Sequence, residues 1–149
     1  MIKSETTVKD IRKAKTNKKN ARPMYASRPA AGFPSPGDDQ VENVLDINDL
    51  VVKNPATTFF VRVEGDSMEG AGIFSGDVLV IDRGIEAVNN DIVVAAVNGE
   101  MVVKRLRVAA GKEGLLVSEN VNYLPIKISE DEDCTIWGVV VGSVRQFSR

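Results

Sequence analysis

The segment "DIVVAAVNGEMVVKRLRV", residues 91–108, constrains the fold more than any other part of the sequence. Two runs of β-branched and apolar residues flank the pair Asn98-Gly99. Both central residues of the tightest hairpin turn need a positive φ, which asparagine and glycine adopt most readily. The segment therefore predicts a β-hairpin whose two antiparallel strands are joined at residues 98 and 99.

Further short strands are predicted on both sides of this hairpin. They are "TTFFVRV" at 57–63, "DVLVID" at 77–82, "GLLVSEN" at 114–120 and "CTIWGVVVGSVRQF" at 134–147. Side chains alternate between the two faces of a strand, so Phe59, Val61 and Val63 share one face. This pattern of β-branched and aromatic residues, bounded by turn residues, is typical of antiparallel sheets.

One short helix is predicted in "DINDLVVKNP", residues 46–55. Asp46 or Asn48 is suited to cap its start. Pro55 disfavours helical geometry at the residue before it and so ends the helix. Because turns recur at short intervals and helical segments are few, the sequence predicts a mostly β domain with curled, antiparallel sheets.

The second hairpin strand carries a lysine, Lys104, on an apolar face. By alternation, that face also holds Val102, Leu106 and Val108. The opposite face is formed by Met101, Val103, Arg105 and Arg107, and its two arginines predict that it meets solvent. Desolvation disfavours the charged form of a lysine, and the neutral form can accept a proton. The alternative is that the side chain of Lys104 extends out to water, as long charged side chains commonly do.

Ser67 lies between a run of apolar residues and several glycines in "VEGDSMEGAG", residues 63–72. A tight turn after the preceding strand predicts an exposed side chain. A helical turn that begins there would direct free backbone N–H groups at a bound carbonyl oxygen. These features suit a nucleophile, but most serines in glycine-rich loops only cap a turn. Ser67 alone leaves both interpretations open.

The absence of histidine restricts the chemistry of any active site. It excludes a Ser-His-Asp triad, a Cys-His pair and a His-ligated metal. The single cysteine, Cys134, excludes an intramolecular disulfide and a multi-cysteine zinc site. The base of a hydrolase would have to be a carboxylate, a lysine or the N-terminal amine. Ser67 and an inward-facing Lys104 would form a Ser-Lys dyad, a known variant of the triad.

Charge is unevenly distributed along the chain. Residues 1–31 contain nine Lys or Arg against Glu5 and Asp10, a net charge of +7, whereas the remaining 118 residues carry −9. A basic segment rich in Asn, Thr and Pro is predicted to be disordered or extended. It keeps the protein soluble, lies on its own acidic domain, or makes transient contact with nucleic acid. Without interleaved aromatic residues or a helix-turn-helix pattern, sequence-specific DNA recognition is not expected.

The basic segment ends in "RPAAGFPSPGDD", residues 28–39, whose prolines exclude helix and regular sheet. Within it, Ala30, Ala31 and Gly32 are small and sterically open. They suit a plain linker, or a strand that a peptidase could hold while it attacks the bond between Ala31 and Gly32.

No apolar run approaches the ~18–20 residues that cross a bilayer, and the N-terminus lacks the apolar centre of a secretory signal. A cytosolic protein without membrane contact is therefore expected.

Three separated motifs resemble the LexA-type self-cleaving Ser/Lys peptidases, and within them the UmuD-like group. They are "AAGFPSPGDD", "NPATTFFVRVEGDSMEGAGIFSGDVLVIDR" and "NGEMVVKRL", in the order that the family has them. The resemblance implies the curled, antiparallel fold of the LexA/UmuD C-terminal peptidase domain. It also implies two parts: a flexible basic arm at residues 1–38, which contains a self-cleavage site, and the peptidase domain at residues 39–149.

The same resemblance implies roles for individual residues. Ser67 would be the nucleophile, Lys104 the general base, and the bond between Ala31 and Gly32 the one that is cut. The backbone amides of Asp66 and Ser67 would form the oxyanion hole. Neither a metal nor an organic cofactor is implied.

The family resemblance also implies a role in the SOS response to DNA damage. A cytosolic homodimer would cleave itself when stimulated by a RecA filament on single-stranded DNA. The product, residues 32–149, would join a UmuC-like, Y-family DNA polymerase for translesion synthesis. The alternative is a non-catalytic RecA-binding or polymerase-binding module with a vestigial dyad. The basic residues between 9 and 22 exceed what the family leads us to expect, and their role stays open.

Overall fold

The computed structural model describes residues 4–15, 44–128 and 133–148. In these ranges the chain forms eight strands and one α-helix, α1 (Ile47–Val51). The strands are β1 (Thr7–Lys13), β2 (Thr58–Glu64), β3 (Val78–Asp82), β4 (Ile92–Val97), β5 (Glu100–Arg107), β6 (Leu115–Val117), β7 (Ile126–Lys127) and β8 (Cys134–Val144). The predicted mostly β fold is confirmed. None of the helices in these ranges has the length and apolar character needed to span a membrane.

The strands form one antiparallel sheet that curls into a barrel. Their order is β1-β2-β3-β8-β4-β5-β6-β7. The sheet closes because β1 also pairs with β5, where Thr7 lies opposite Val102. This closure brings three parts of the chain together: the N-terminal segment, the turn after β2, and β5.

Strands β4 and β5 form the predicted hairpin. Asn98 and Gly99 have φ values of 50° and 82°, as the turn requires. The register pairs Val93 with Lys104. The hairpin prediction is confirmed, and the register fixes the position of Lys104 within the sheet.

Two apolar clusters cover the two faces of β5. One cluster is formed by Val61, Val63, Met68, Ile73, Leu79, Ile81, Val94 and Val103. The other is formed by Val93, Ala95, Val102, Leu106, Leu116 and Val139. The prediction that the arginine face of β5 meets solvent is therefore wrong at Val103, which is fully buried, although Arg107 is exposed. The barrel closes over that face, and alternation along one strand does not report such closure.

Helix α1 begins as expected but ends at Val51, earlier than the end that Pro55 was predicted to set at Asn54. The side chain of Asp46 caps it and accepts a hydrogen bond of 2.8 Å from the backbone N–H of Asn48. The helix ends at Val51, and Pro55 begins a single 3-10 turn that leads into β2. None of the helical residues is buried.

Part of the predicted arm is extended and lies on the sheet. Strand β1 pairs with β2 from Thr7, opposite Glu64, to Lys13, opposite Phe59. The predicted cleavage site at Ala31 and Gly32, and the predicted boundary between residues 38 and 39, lie outside the described residues.

Candidate active site

Ser67 lies in the tight turn that follows β2. Gly65 begins this turn with a φ of 114°, a conformation that glycine adopts most readily. A 3-10 turn at Glu69–Ala71 follows. The predicted exposure of Ser67 is wrong, since its exposed fraction is 0%. The N-terminal segment lies across the turn and excludes solvent from the hydroxyl.

Lys104 projects from β5 into the same cleft. Its side chain is 1% exposed, so it does not extend out to water. It shares a face with Val102 and Leu106, as the alternation predicted. Its Nζ donates a hydrogen bond of 2.6 Å to Oγ of Ser118 and lies 5.7 Å from the centre of the Tyr123 ring. The amine is therefore held inside the protein at a defined position.

A carboxylate from the N-terminal segment joins the two predicted catalytic residues. Glu5 forms an ion pair with Nζ of Lys104 through its Oε1 atom. The same oxygen accepts a long hydrogen bond of 3.4 Å from the hydroxyl of Ser67. Ser67 and Lys104 therefore contact the same carboxylate oxygen, and both of their side chains are buried.

Thr6 fixes the N-terminal segment between the Ser67 turn and β5. Its backbone N–H donates a hydrogen bond of 2.9 Å to Oγ of Ser67. Its carbonyl oxygen accepts one of 3.0 Å from the N–H of Val103. The Thr6 hydroxyl is buried and has no hydrogen-bond partner in the described part of the chain. An unpaired buried polar group costs about 1–3 kcal/mol, so the Thr6 hydroxyl opposes the binding of the N-terminal segment at this place.

Asp66 and Gly65 contact the backbone of Ser4 and Glu5, the part of the N-terminal segment that precedes Thr6. The N–H of Asp66 donates a hydrogen bond of 2.7 Å to the carbonyl oxygen of Ser4. A Cβ atom at Gly65 would lie 2.2 Å from the carbonyl oxygen of Glu5, so only glycine permits this close approach. The cleft thus accommodates an extended peptide, and one of the two predicted oxyanion-hole amides binds a peptide carbonyl.

The side chain of Asp66 is held by Tyr123 and Ser4. The Tyr123 hydroxyl donates to the Asp66 carboxylate at 2.7 Å, and the Ser4 N–H donates to it at 3.2 Å. These two hydrogen bonds, that of Tyr123 above all, lower the pKa of Asp66. Burial, together with the neighbouring Asp66, raises the pKa of Tyr123 to about 12. Tyr123 is therefore a neutral phenol at physiological pH, with its hydroxyl on Asp66 and its ring facing Lys104.

Sequence reasoning missed four residues of this site: Glu5, Thr6, Ser118 and Tyr123. Ser118 belongs to a segment that was predicted as a strand. It reaches Lys104 because Arg105 pairs with Val117, and no local pattern specifies that register. Glu5 lies in a polar segment whose composition predicted only an extended or disordered arm. Its sequence carries no signal for a contact with the turn after β2.

The arrangement combines a potential nucleophile with a potential base. A serine hydroxyl becomes an effective nucleophile when a neighbouring base takes its proton, and a neutral lysine amine can be that base. Ser67 and Lys104 are brought to the same cleft, whereas Ala31 and Gly32 lie outside the described residues. The cleft also holds an extended backbone, which is the form in which peptidases bind their substrates.

Comparison with known proteins gives consistent matches. The pattern of the family Peptidase S24-like matches residues 23–141. Protein ImpA of Salmonella typhimurium is 49% identical over 85 residues, which are 57% of this chain and 59% of ImpA. The match therefore spans less than two thirds of the length of ImpA.

Two further relatives match over longer stretches. Protein SamA of Salmonella typhimurium (strain LT2) is 44% identical over 128 residues, which are 83% of this chain and 85% of SamA. The LexA repressor of Xylella fastidiosa (strain M23) is 34% identical over 144 residues, which are 97% of this chain and 67% of the repressor.

Proposed function

Because this chain belongs to the Peptidase S24-like family, as a UmuD-like member of the LexA type, we propose that it cleaves its own peptide bond between Ala31 and Gly32. One observation carries the proposal. The hydroxyl of Ser67 and the amine of Lys104 contact the same carboxylate oxygen, and both side chains are buried. A nucleophile beside a base is what covalent catalysis by a Ser-Lys dyad requires.

In the first step the neutral amine of Lys104 takes the proton of the Ser67 hydroxyl. The serine oxygen forms a bond to the carbonyl carbon of Ala31, and the electron pair of the C=O π bond moves to the carbonyl oxygen. The backbone amides of Asp66 and Ser67 stabilise this oxyanion. The hydrogen bond of 2.7 Å from the Asp66 N–H to the Ser4 carbonyl supports that assignment.

In the second step the tetrahedral intermediate loses its bond to the nitrogen of Gly32. The Lys104 ammonium gives its proton to that nitrogen, which becomes the N-terminus of residues 32–149. A water molecule then adds to the ester carbon of Ala31 while Lys104 takes one of its protons. The proton returns to the oxygen of Ser67 when the ester bond breaks. One water molecule is consumed, and both catalytic side chains are regenerated.

The proposed substrate is part of the same chain or of its dimer partner. Residues 1–38 act as the arm that carries the bond, and residues 39–149 as the peptidase domain. A flexible tether gives an effective concentration of about a millimolar, so a single self-cleavage needs no affinity for free peptides. The extended docking of residues 4–6 in the cleft supports a backbone-binding role for the Ser67 turn and β5.

We place this reaction in the SOS response to DNA damage. In this proposal a RecA filament on single-stranded DNA stimulates the cleavage of a cytosolic homodimer. Residues 32–149 then act as the accessory subunit of a UmuC-like, Y-family polymerase in translesion synthesis. Membership of the UmuD-like group supports the role. Cleavage would also remove the basic residues between 9 and 22, and with them any contact they make with nucleic acid.

Intact mass spectrometry tests the proposal. The wild-type chain incubated with RecA, single-stranded DNA and nucleotide is expected to yield residues 32–149. Ser67→Ala removes the nucleophile, and Lys104→Arg replaces the base with a guanidinium that stays protonated. Neither variant is expected to cleave. A wild-type chain that stays intact while it binds RecA or the polymerase would instead support the non-catalytic binding module with a vestigial dyad.

A further inference from the structure

We propose that the segment Ser4-Glu5-Thr6 is a built-in inhibitor of the Ser67–Lys104 dyad and must leave the cleft before cleavage. The inference rests on the proposed function and concerns the regulation of the same site. Three components of the catalytic machinery are occupied by this one segment: the base, the nucleophile and an oxyanion-hole amide.

The base is occupied by the carboxylate of Glu5. In the ion pair with Glu5, Lys104 is an ammonium that also donates a hydrogen bond to Ser118. An ammonium has no free electron pair with which to take the proton of Ser67. While Glu5 remains bound, Lys104 cannot act as the general base.

The nucleophile is occupied by backbone and side-chain contacts of the same segment. Oγ of Ser67 accepts a hydrogen bond of 2.9 Å from the N–H of Thr6 and directs its own proton towards Glu5. One of the two lone pairs of the Ser67 oxygen is therefore engaged by the Thr6 amide. The serine proton is donated to the Glu5 carboxylate, and no neutral amine is present to take it.

A substrate backbone cannot share the cleft with this segment. The N–H groups of Asp66 and Val103 donate to the carbonyl oxygens of Ser4 and Thr6, respectively. The segment also lies directly on Gly65, where a Cβ atom would approach to 2.2 Å. A scissile strand that places its carbonyl at the Asp66 amide needs the same space, so the two occupants exclude each other.

The docked state contains a defect that makes release feasible. The Thr6 hydroxyl is buried without a hydrogen-bond partner in the described residues, and such a group opposes docking. Glu5 is 30% exposed, so water can reach its carboxylate and compete for it. A factor that favours a scissile strand in the cleft can therefore displace the segment.

Two rates are measured on full-length protein without RecA. The first is the labelling of Ser67 by a serine-reactive fluorophosphonate, with Ser67→Ala as the blank, and the second is self-cleavage. Glu5→Ala is expected to raise both rates about tenfold, the effect of losing one charge-assisted hydrogen bond. Asp10→Asn is the matched control. It removes one negative charge from β1, but its partner there is Arg12, and both rates should match those of the wild type.

Thr6→Val tests the same idea in the opposite direction. Valine has nearly the shape of threonine without the unpaired hydroxyl, so the segment should dock more tightly. Both rates should fall about threefold to tenfold. Loss of the fold could also lower both rates, so thermal unfolding of Thr6→Val is measured as well. A variant at least as stable as the wild type separates tighter docking from instability.

The possible outcomes separate failure of the inference from failure of the proposed function. Equal or lower rates for Glu5→Ala, with Ser67 still labelled, would overturn the inhibitory role. Faster labelling of Glu5→Ala, with no cleavage of any variant even after RecA, single-stranded DNA and nucleotide are added, would support the inhibitory contact and contradict self-cleavage. If no chain is labelled at Ser67, there is no active nucleophile to inhibit, and both the inference and the proposed function are wrong.

Discussion

Ser118 is the residue on which the position of Lys104 most directly depends. Both side chains are buried, and 2.6 Å separates Nζ of Lys104 from Oγ of Ser118. A hydroxyl can both donate and accept, so Ser118 can hold the lysine in its charged and its neutral form. When Glu5 leaves the cleft, Ser118 and the ring of Tyr123 are the described groups that still contact the amine.

Ser118→Ala should slow self-cleavage about tenfold to a hundredfold, because a buried lysine that loses an acceptor no longer keeps one position. Ser118→Thr keeps the hydroxyl and should restore most of the rate. Cleavage is measured by intact mass, and thermal unfolding shows whether the two variants are equally stable. A full rate in Ser118→Ala, or equally slow alanine and threonine variants, would contradict a positioning role.

At the level of strands and turns, the features predicted correctly from the sequence are those that depend on residues close together in the sequence. Asn98 and Gly99 specify the hairpin, and the alternation along β5 places Lys104 on the correct face. The missed features depend on contacts between distant parts of the chain. The hydrogen bond between Ser4 and Asp66 joins residues 62 positions apart, and it belongs to the docking that buries Ser67. The pattern of residues along a strand predicts which side chains share a face. It does not predict which strands pair or which distant segments come into contact.

Gly99→Ala should destabilise the hairpin through the backbone alone. Nothing lies within 4 Å of the added Cβ, but the residue has a φ of 82°, which costs about 1–2 kcal/mol for alanine. The melting temperature should fall by a few degrees, measured by circular dichroism. Gly142→Ala in β8 is the control, since its Cβ would make ordinary contacts of 3.8 Å with Val80. An equal loss in both variants would mean that φ is not the cause.

Across the whole molecule, one ion pair connects the end of β8 to the loop between the Ser67 turn and β3. Arg145 donates to both oxygens of the buried Asp77 carboxylate, at 2.7 and 2.8 Å. The guanidinium also donates to the carbonyl of Gly72 at 2.7 Å and lies 4.2 Å from the ring centre of Phe74. The loop that leads away from the Ser67 turn is thus fixed to the segment that follows β8.

This ion pair predicts how stability depends on pH. Chiefly through its hydrogen bonds, Arg145 lowers the pKa of Asp77 below its ordinary value of 3.8, although burial acts in the opposite direction. A carboxyl group whose pKa is lowered by folding stabilises the protein above its unfolded pKa. That contribution is lost as the pH falls through the folded pKa. The stabilisation from Asp77 should therefore be complete at neutral pH and should decline below about pH 4.

Arg145→Met should lower the free energy of unfolding by about 1–3 kcal/mol at pH 7, because it leaves a buried carboxylate without its charged partner. The difference from the wild type should shrink as the pH falls below about 4, because protonation of Asp77 removes the charge with which Arg145 pairs. Urea unfolding at several pH values measures this difference in the free energy of unfolding. Arg12→Met is the control: its ion pair with Asp10 is exposed, and its loss should cost less than about 1 kcal/mol. If the Arg145→Met difference stays constant from pH 3 to 7, Arg145 stabilises the loop through Gly72 and Phe74, and its ion pair with Asp77 contributes nothing.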